Sequence, residues 1–143
     1  EIIDKSDYNE RVSTYPVGNS IDLKILRDGK KSQVSLEVSF LPITQVASYV
    51  RTWLGFNVSE ITKSLIQVYR LTTSHGVVIT GVKPNSVSGK IGIRAGDVIR
   101  QINQERIKGE KGFKTAIMQA VGRDSVLVLI QRGQNGYYVT LEP

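Results

Sequence analysis

Two blocks of alternating hydrophobic and polar positions lie about a hundred residues apart. In the first, Ile21, Leu23 and Ile25 alternate with Asp22 and Lys24, the period-two pattern of a half-buried strand. Asp28-Gly29 follows, a dipeptide that favours a tight hairpin turn. Val34, Leu36 and Val38 then alternate with Ser35 and Glu37. In the second block Val126 to Ile130 is apolar throughout, which predicts a strand covered on both faces. Asn135-Gly136 marks its expected turn. A helix is expected before each hairpin: Ser6 to Thr14, with Ser6 as N-cap, and Glu110 to Ala120.

The two blocks are copies of one pattern. Val17-Gly18 to Glu37 aligns with Val121-Gly122 to Glu142 with a single-residue gap, and Val-Gly, Ser, Ile, Arg, Val, Leu and Glu coincide. A spacing of about a hundred residues indicates tandem domains, because solenoid units are about 20–50 residues long. The second copy has about seventy residues before its helix, and the first has almost none. The expectation is therefore the C-terminal part of one domain in residues 1–43 and a complete domain in residues 44–143. They would meet at Leu41-Pro42-Ile43-Thr44, where proline cannot continue a strand ladder.

Within residues 44–143 the pattern predicts a strand over Leu54 to Val58 and a helix over Glu60 to Arg70, with Ile61, Leu65 and Val68 on one face. A strand over Gly76 to Val82 follows, then a turn and strand over Gly96 to Asn103. Helices among many short strands imply a mainly β fold with short helices: a small, partly open β-barrel with helices at its openings.

Composition narrows the chemistry. Of 143 residues, 40% are hydrophobic and 22% charged, the balance of a globular protein. No apolar run approaches the roughly 18 residues that would span a bilayer. The net charge is +6, but the basic residues are scattered and form no tract of the kind that binds nucleic acid. Cysteine is absent, which excludes disulfides and thiolate metal sites. With His75 as the single histidine, no metal site and no cofactor is expected. Ser74 beside His75 has no acid placed behind it, and no Gly-x-Ser-x-Gly elbow occurs. No catalytic residue is therefore expected in this chain.

Four motifs in order resemble the PDZ domain family. Trp53-Leu54-Gly55-Phe56 is similar to the Φ-Gly-Φ carboxylate-binding loop. Gly76-Val77-Val78-Ile79, followed by Val82, Pro84, Asn85 and Ser86, is similar to the next strand and its turn. Gly92-Ile93-Arg94-Ala95-Gly96-Asp97-Val98-Ile99 resembles the Gly-Leu-x-x-Gly-Asp-x-Ile signature, and Ile102-Asn103-Gln104-Glu105-Arg106-Ile107 the Val-Asn-Gly-x-x-Ile strand. Gln104 stands where glycine is usual, and Val87-Ser88-Gly89-Lys90 where alanine-like residues are usual. The tandem arrangement and the Leu26-Arg27-Asp28-Gly29-Lys30 hairpin resemble the C-terminal half of HtrA/Deg-type serine proteases.

That resemblance implies a peptide-binding module serving a protein-quality-control protease in the periplasm or cell envelope. Its partners would be peptide or unfolded-protein C-termini, the protease domain of the same chain and a second copy of itself. The PDZ region of a membrane-embedded metalloprotease and a non-enzymatic secretion or scaffold protein are the competing readings.

The chemistry of such a site can be stated in residues. A strand beside a loop of free N–H groups can accept an extended peptide as an added strand. The N–H groups of Leu54, Gly55 and Phe56 would face the terminal carboxylate as a backbone nest. Phe56, Asn57 and Val58 would offer the strand edge, and Arg51 would assist by charge. Phe113 and Ile117, four apart on one helix face, would form the pocket for the last ligand side chain, with Ala116 and Ala120 facing the core. The same residues also read as a turn glycine at Gly55, plain core at Phe113 and Ile117, and a solvated arginine at Arg51. Residues 1–43 carry two apolar rows without the strands that would cover them; packing on the complete domain, packing on a second copy and disorder are the three outcomes open, and the favoured one is a contact between two copies.

Overall fold

A computed structural model describes residues 2–39 and 42–142; Leu41, in the expected junction, lies outside them. The chain divides into two compact units, Glu1–Leu41 and Pro42–Pro143.

The first unit begins with helix α1 (Lys5–Ser13). Asp4, not Ser6, is its N-cap: the Asp4 backbone is extended and its side chain accepts from the Asp7 N–H at 2.9 Å. Capping from outside the helical turn requires that extended residue. Strands β1 (Ser20–Arg27) and β2 (Lys30–Glu37) form an antiparallel hairpin. Ile21 pairs with Leu36 and Leu23 with Val34, so both apolar rows share one face. Asp28 and Gly29 both take positive φ, 52° and 74°, as a two-residue turn matched to strand twist demands. Ile21 is buried, whereas Leu26, Val34 and Leu36 are exposed.

The second unit opens with helical turns where no element was expected before Leu54. A 3₁₀ turn (Ile43–Gln45) leads into α2 (Val46–Tyr49), which continues as a π-helical turn (Val50–Leu54). Then come β3 (Phe56–Glu60), α3 (Lys63–Tyr69), β4 (Val77–Val82), α4 (Val87–Lys90), β5 (Val98–Ile102), β6 (Glu105–Arg106), α5 (Glu110–Ala120), β7 (Val126–Arg132) and β8 (Asn135–Leu141). The sheet runs β3-β4-β5-β7-β8, with β6 paired to β5. The fold is thus mainly β with short helices. Its sheet is open, with β3 and β8 as its two ends, and does not close into a barrel.

Several boundaries move for physical reasons. The strand expected from Leu54 starts at Phe56, because Leu54 still belongs to the helical turn. α3 starts at Lys63, where the Thr62 side chain accepts from the Leu65 N–H, and ends at Arg70 in the left-handed region. Val68 is exposed, so the expected apolar stripe of this helix is not fully buried. β7 is not covered on both faces: Val126, Val128 and Ile130 are buried, but Leu127 is exposed. The last hairpin turns at Gly133-Gln134, because Arg132 pairs with Asn135 and places Asn135-Gly136 inside β8. Gly133 supplies the positive φ.

The departures from the PDZ motifs are accommodated locally. In the β5–β6 turn Asn103 takes the positive φ of 51° and is held by Leu127, whose N–H donates to Asn103 Oδ1 at 3.0 Å. Gln104 is therefore spared the conformation that favours glycine. In α4 Ser88 is fully buried, and Gly89 approaches the Lys83 and Pro84 carbonyls too closely for any Cβ.

Candidate functional site

The site is built where the helical turn ends and β3 begins. Gly55 terminates the π turn in the left-handed region, φ 82°, which a residue with a Cβ adopts at a cost. A Cβ there would also overlap the Ser86 side chain. The Gly55 carbonyl accepts from the Lys83 N–H at 2.7 Å, which ties the loop to the end of β4. From this loop β3 runs as the terminal strand of the sheet, paired to β4 on one side, with a register shift between Asn57 and Val58.

α5 lies across the groove and is fixed to β3 at its N-terminus. Gly109, its N-cap, has no side chain to satisfy the first N–H groups. Glu60 of β3 supplies that function: Glu60 Oε2 accepts from the Glu110 N–H at 2.6 Å. A carboxylate at this end also opposes the positive pole of the helix.

Four of the nine sequence-predicted residues, Phe56, Asn57, Val58 and Phe113, meet at one small cleft. Phe56, Val58 and Phe113 line one cleft of about 70 Å³ together with Val46, Val50 and Lys114. That is well below the ~300–1,000 Å³ of sites that enclose a small ligand. Val46 and Val50 are 0% and 1% exposed and bring α2 and its π turn against the same cleft. Phe113 and Ile117 are both buried, and Ile117 does not line the cleft. Ala116 and Ala120 are buried as expected for core-facing positions. Asn57 is exposed, and Leu54 is buried.

The nest geometry also differs from expectation. The Gly55 N–H donates to the Val50 carbonyl at 2.8 Å. In this conformation it closes the helical turn and is not a free donor for a carboxylate. Arg51 is exposed on the same turn. Trp53 is partly exposed and stacks on Tyr49, ring centroids 5.8 Å apart and planes 25° apart. Burial pushes the Tyr49 phenol above its ordinary pKa. The loop pair Ser74 and His75 places Oγ 3.5 Å from Nδ1, and the cleft beside His75 is lined by Arg100, Arg106 and Lys108.

Sequence reasoning missed Val46, Val50 and Glu60. A signal existed for the first two: Val46, Val50 and Leu54 recur every fourth residue, as do Tyr49 and Trp53, the stripe of a helix. For Glu60 no local signal exists, since its partner lies fifty residues further on.

Comparisons with known proteins agree with this architecture. A family profile described as PDZ domain matches residues 78–132. The periplasmic serine endoprotease DegP of Salmonella typhimurium is 33% identical over 133 residues, covering 92% of this chain and 26% of that protein. A probable periplasmic serine endoprotease of the DegP-like type from Halomonas elongata is 27% identical over 130 residues, covering 87% of this chain and 27% of its own length. The chain thus spans about a quarter of the length of these relatives.

Among solved structures, the HtrA3 PDZ domain bound to a phage-derived ligand (FGRWV) superposes with a TM-score of 0.52 at 26% identity, covering 63% of this chain and 82% of that one. The HtrA-type protease AlgW with decapeptide gives a TM-score of 0.56 at 17% identity over 86% of this chain and 40% of that one, a likeness of fold. The names of the relatives support a periplasmic location. The chain carries a PDZ domain and is homologous to the C-terminal region of the DegP/HtrA serine proteases.

Proposed function

We propose that the second unit captures extended peptides, above all free C-termini, for an HtrA/Deg-type serine protease. The observation that carries this reading is the terminal strand β3. It starts at the left-handed Gly55, runs beside α5 and has no strand on its outer side among the described residues. A ligand would add there as a further strand, with its carboxylate at the Gly55 loop and its last side chain towards Phe56 and Phe113. Arg51 and Trp53 flank the entrance, Leu54 frames the loop, Asn57 and Val58 offer the edge, and Ile117 supports the pocket from the core. The HtrA3 PDZ domain, which was solved with a peptide ligand, supports the assignment. The serine-endoprotease names of the relatives favour this parent over a membrane metalloprotease or a scaffold.

Binding is expected to be weak. About four backbone hydrogen bonds at ~0.5–1.5 kcal/mol each and one buried apolar side chain at ~1.5–3 kcal/mol stand against at least ~4 kcal/mol for association. The surplus, at most about 5 kcal/mol, corresponds to an affinity of hundreds of micromolar or weaker. The test is an NMR titration of the full chain with the pentapeptide FGRWV, free and C-terminally amidated. Shifts concentrated in β3 and α5, and clearly weaker binding of the amide, are expected. Identical titration by the two forms sinks the carboxylate assignment.

The protease domain of the same chain and a second copy are the further partners of this reading. The exposed Leu26, Val34 and Leu36 on the first-unit hairpin favour contact with a second copy.

A further inference from the structure

We propose that the segment Ile43–Leu54 is a built-in latch, which occupies the peptide groove and must move before a C-terminus can enter. The inference rests on the peptide-binding reading above and adds regulation of the same site. Two independent features of the segment block the two things a ligand needs. Val46 and Val50, buried at 0% and 1% exposure, stand between β3 and α5 and leave a cleft of only about 70 Å³ beside Phe113. The same segment consumes a donor: Val50 accepts the Gly55 N–H at 2.8 Å, the group a terminal carboxylate would need. One segment thus narrows the space for the ligand side chain and engages one of the three N–H groups assigned to its carboxylate.

The latch is held by features that can be undone. α2 is a single turn of four residues, Val46–Tyr49, and a helix that short has little stability of its own. Its continuation is a π turn, an irregular form that recurs at functional positions. Outside the groove, the Tyr49–Trp53 stack braces the two turns against each other. Opening would free the Gly55 N–H and vacate the volume of two valine side chains in one movement. The apparent affinity for a peptide is then the intrinsic affinity multiplied by the open fraction.

The chain contains no cysteine and one tryptophan, Trp53, so the latch can be pinned and watched without background. Ala47 and Lys114 line the same cleft from opposite elements. The variant Ala47→Cys/Lys114→Cys, oxidised, should hold the segment closed, and reduction should release it. The variant Ser48→Gly/Thr52→Gly loosens the two turns at exposed positions without touching a buried side chain. The probe is the tryptophan-free peptide FGRFV with a free C-terminus, titrated against the full-length chain by NMR and by Trp53 emission.

Expected results are roughly fivefold tighter binding by the glycine variant, loss of binding by the oxidised variant, and its return on reduction. Trp53 emission should shift on binding, because the Tyr49–Trp53 stack belongs to the segment that moves. Equal affinity in the wild type, the glycine variant and the oxidised variant would overturn the latch while leaving the peptide-binding reading intact. Absence of binding in every form, including the reduced and glycine variants, would overturn the peptide-binding reading and the latch with it. Circular dichroism melts of the reduced and oxidised forms identify a variant that has lost its fold. In that case the glycine variant decides.

Discussion

Asp97 and Arg132 form a two-pronged ion pair. Arg132 Nε donates to Asp97 Oδ1 at 2.6 Å and Nη2 to Oδ2 at 2.7 Å. The pair joins the turn before β5 to the end of β7. Asp97 is 1% exposed in its side chain and Arg132 33%. The Arg94 N–H donates to Asp97 Oδ2 at 3.0 Å, and Arg132 Nη2 also reaches the Gly92 carbonyl at 2.8 Å. The Asp97 carboxylate beside it raises the Arg132 pKa. Above the groups, the Tyr137 ring lies 5.3 Å from the guanidinium carbon. The aspartate of the Gly-Asp signature is therefore a structural tie, remote in role from the peptide groove.

Removing Arg132 would leave the buried Asp97 carboxylate without its partner, whereas removing Asp97 leaves a guanidinium that is 33% exposed. Asp97→Asn should cost about 3 kcal/mol, the lower end for a buried pair because Arg132 is partly solvated. The double variant Asp97→Asn/Arg132→Leu should cost less than the sum of its single changes. Urea unfolding of the four proteins checks this, and additive losses below about 1 kcal/mol would contradict it.

The Glu60 carboxylate replaces a missing N-cap on α5. Glu60→Ala should destabilise the second unit by about 1 kcal/mol, the worth of a capping side chain. Glu60→Gln keeps an acceptor but loses the charge, and should recover part of that. Amide exchange should show the loss at the first turn of α5 before the rest of the sheet responds. Uniform change across the sheet, or none, would contradict the cap.

Ser88 is buried and its Oγ has no hydrogen-bond partner among the described residues. An unsatisfied buried hydroxyl costs about 1–3 kcal/mol, so Ser88→Ala should raise stability by about 1 kcal/mol. A lower melting temperature for the alanine variant would mean that the hydroxyl has a partner after all. This position is one where the PDZ pattern carries small alanine-like residues, and the prediction follows that chemistry.

The first-unit hairpin presents Leu26, Val34 and Leu36 to solvent. Each such side chain gains about 1.5–3 kcal/mol when fully buried. The full chain should therefore gain apparent mass as its concentration rises, by light scattering, and Val34→Lys/Leu36→Lys, on one face of the hairpin, should abolish that. A chain that stays monomeric at high micromolar concentration would remove the hairpin as a contact between copies.

The short-range devices of this fold were legible in the residues. Asp28-Gly29 turns because two consecutive positive φ values suit it. Helix α5 spans Glu110–Ala120 as expected, because its apolar positions recur at helical spacing over three turns. The Φ-Gly-Φ run fixed the place of the loop, since Gly55 alone there takes the left-handed conformation that ends a helical turn and starts a strand. In each case neighbouring residues decide the backbone, so a sequence window contains the whole cause.

Other features depended on which elements meet in space. The apolar run Val126 to Ile130 suggested two covered faces, yet only the packed side is buried; hydrophobicity records affinity for a core, not where the core lies. Phe113 and Ile117 shared a helix face from their spacing, but whether that face opens to a ligand was decided by Val46 and Val50 of another element. The Gly55 N–H was a free donor in sequence terms and a bonded one once Val50 folded back beside it. Glu60 became a cap only because β3 delivers it to a helix fifty residues away. By itself, then, the sequence determined the PDZ fold and the place of the loop at Gly55, because those rest on local conformation and pattern. The tertiary structure alone decided that Val46 and Val50 are buried in the cleft beside Phe113, because that depends on contacts between segments that no local pattern encodes.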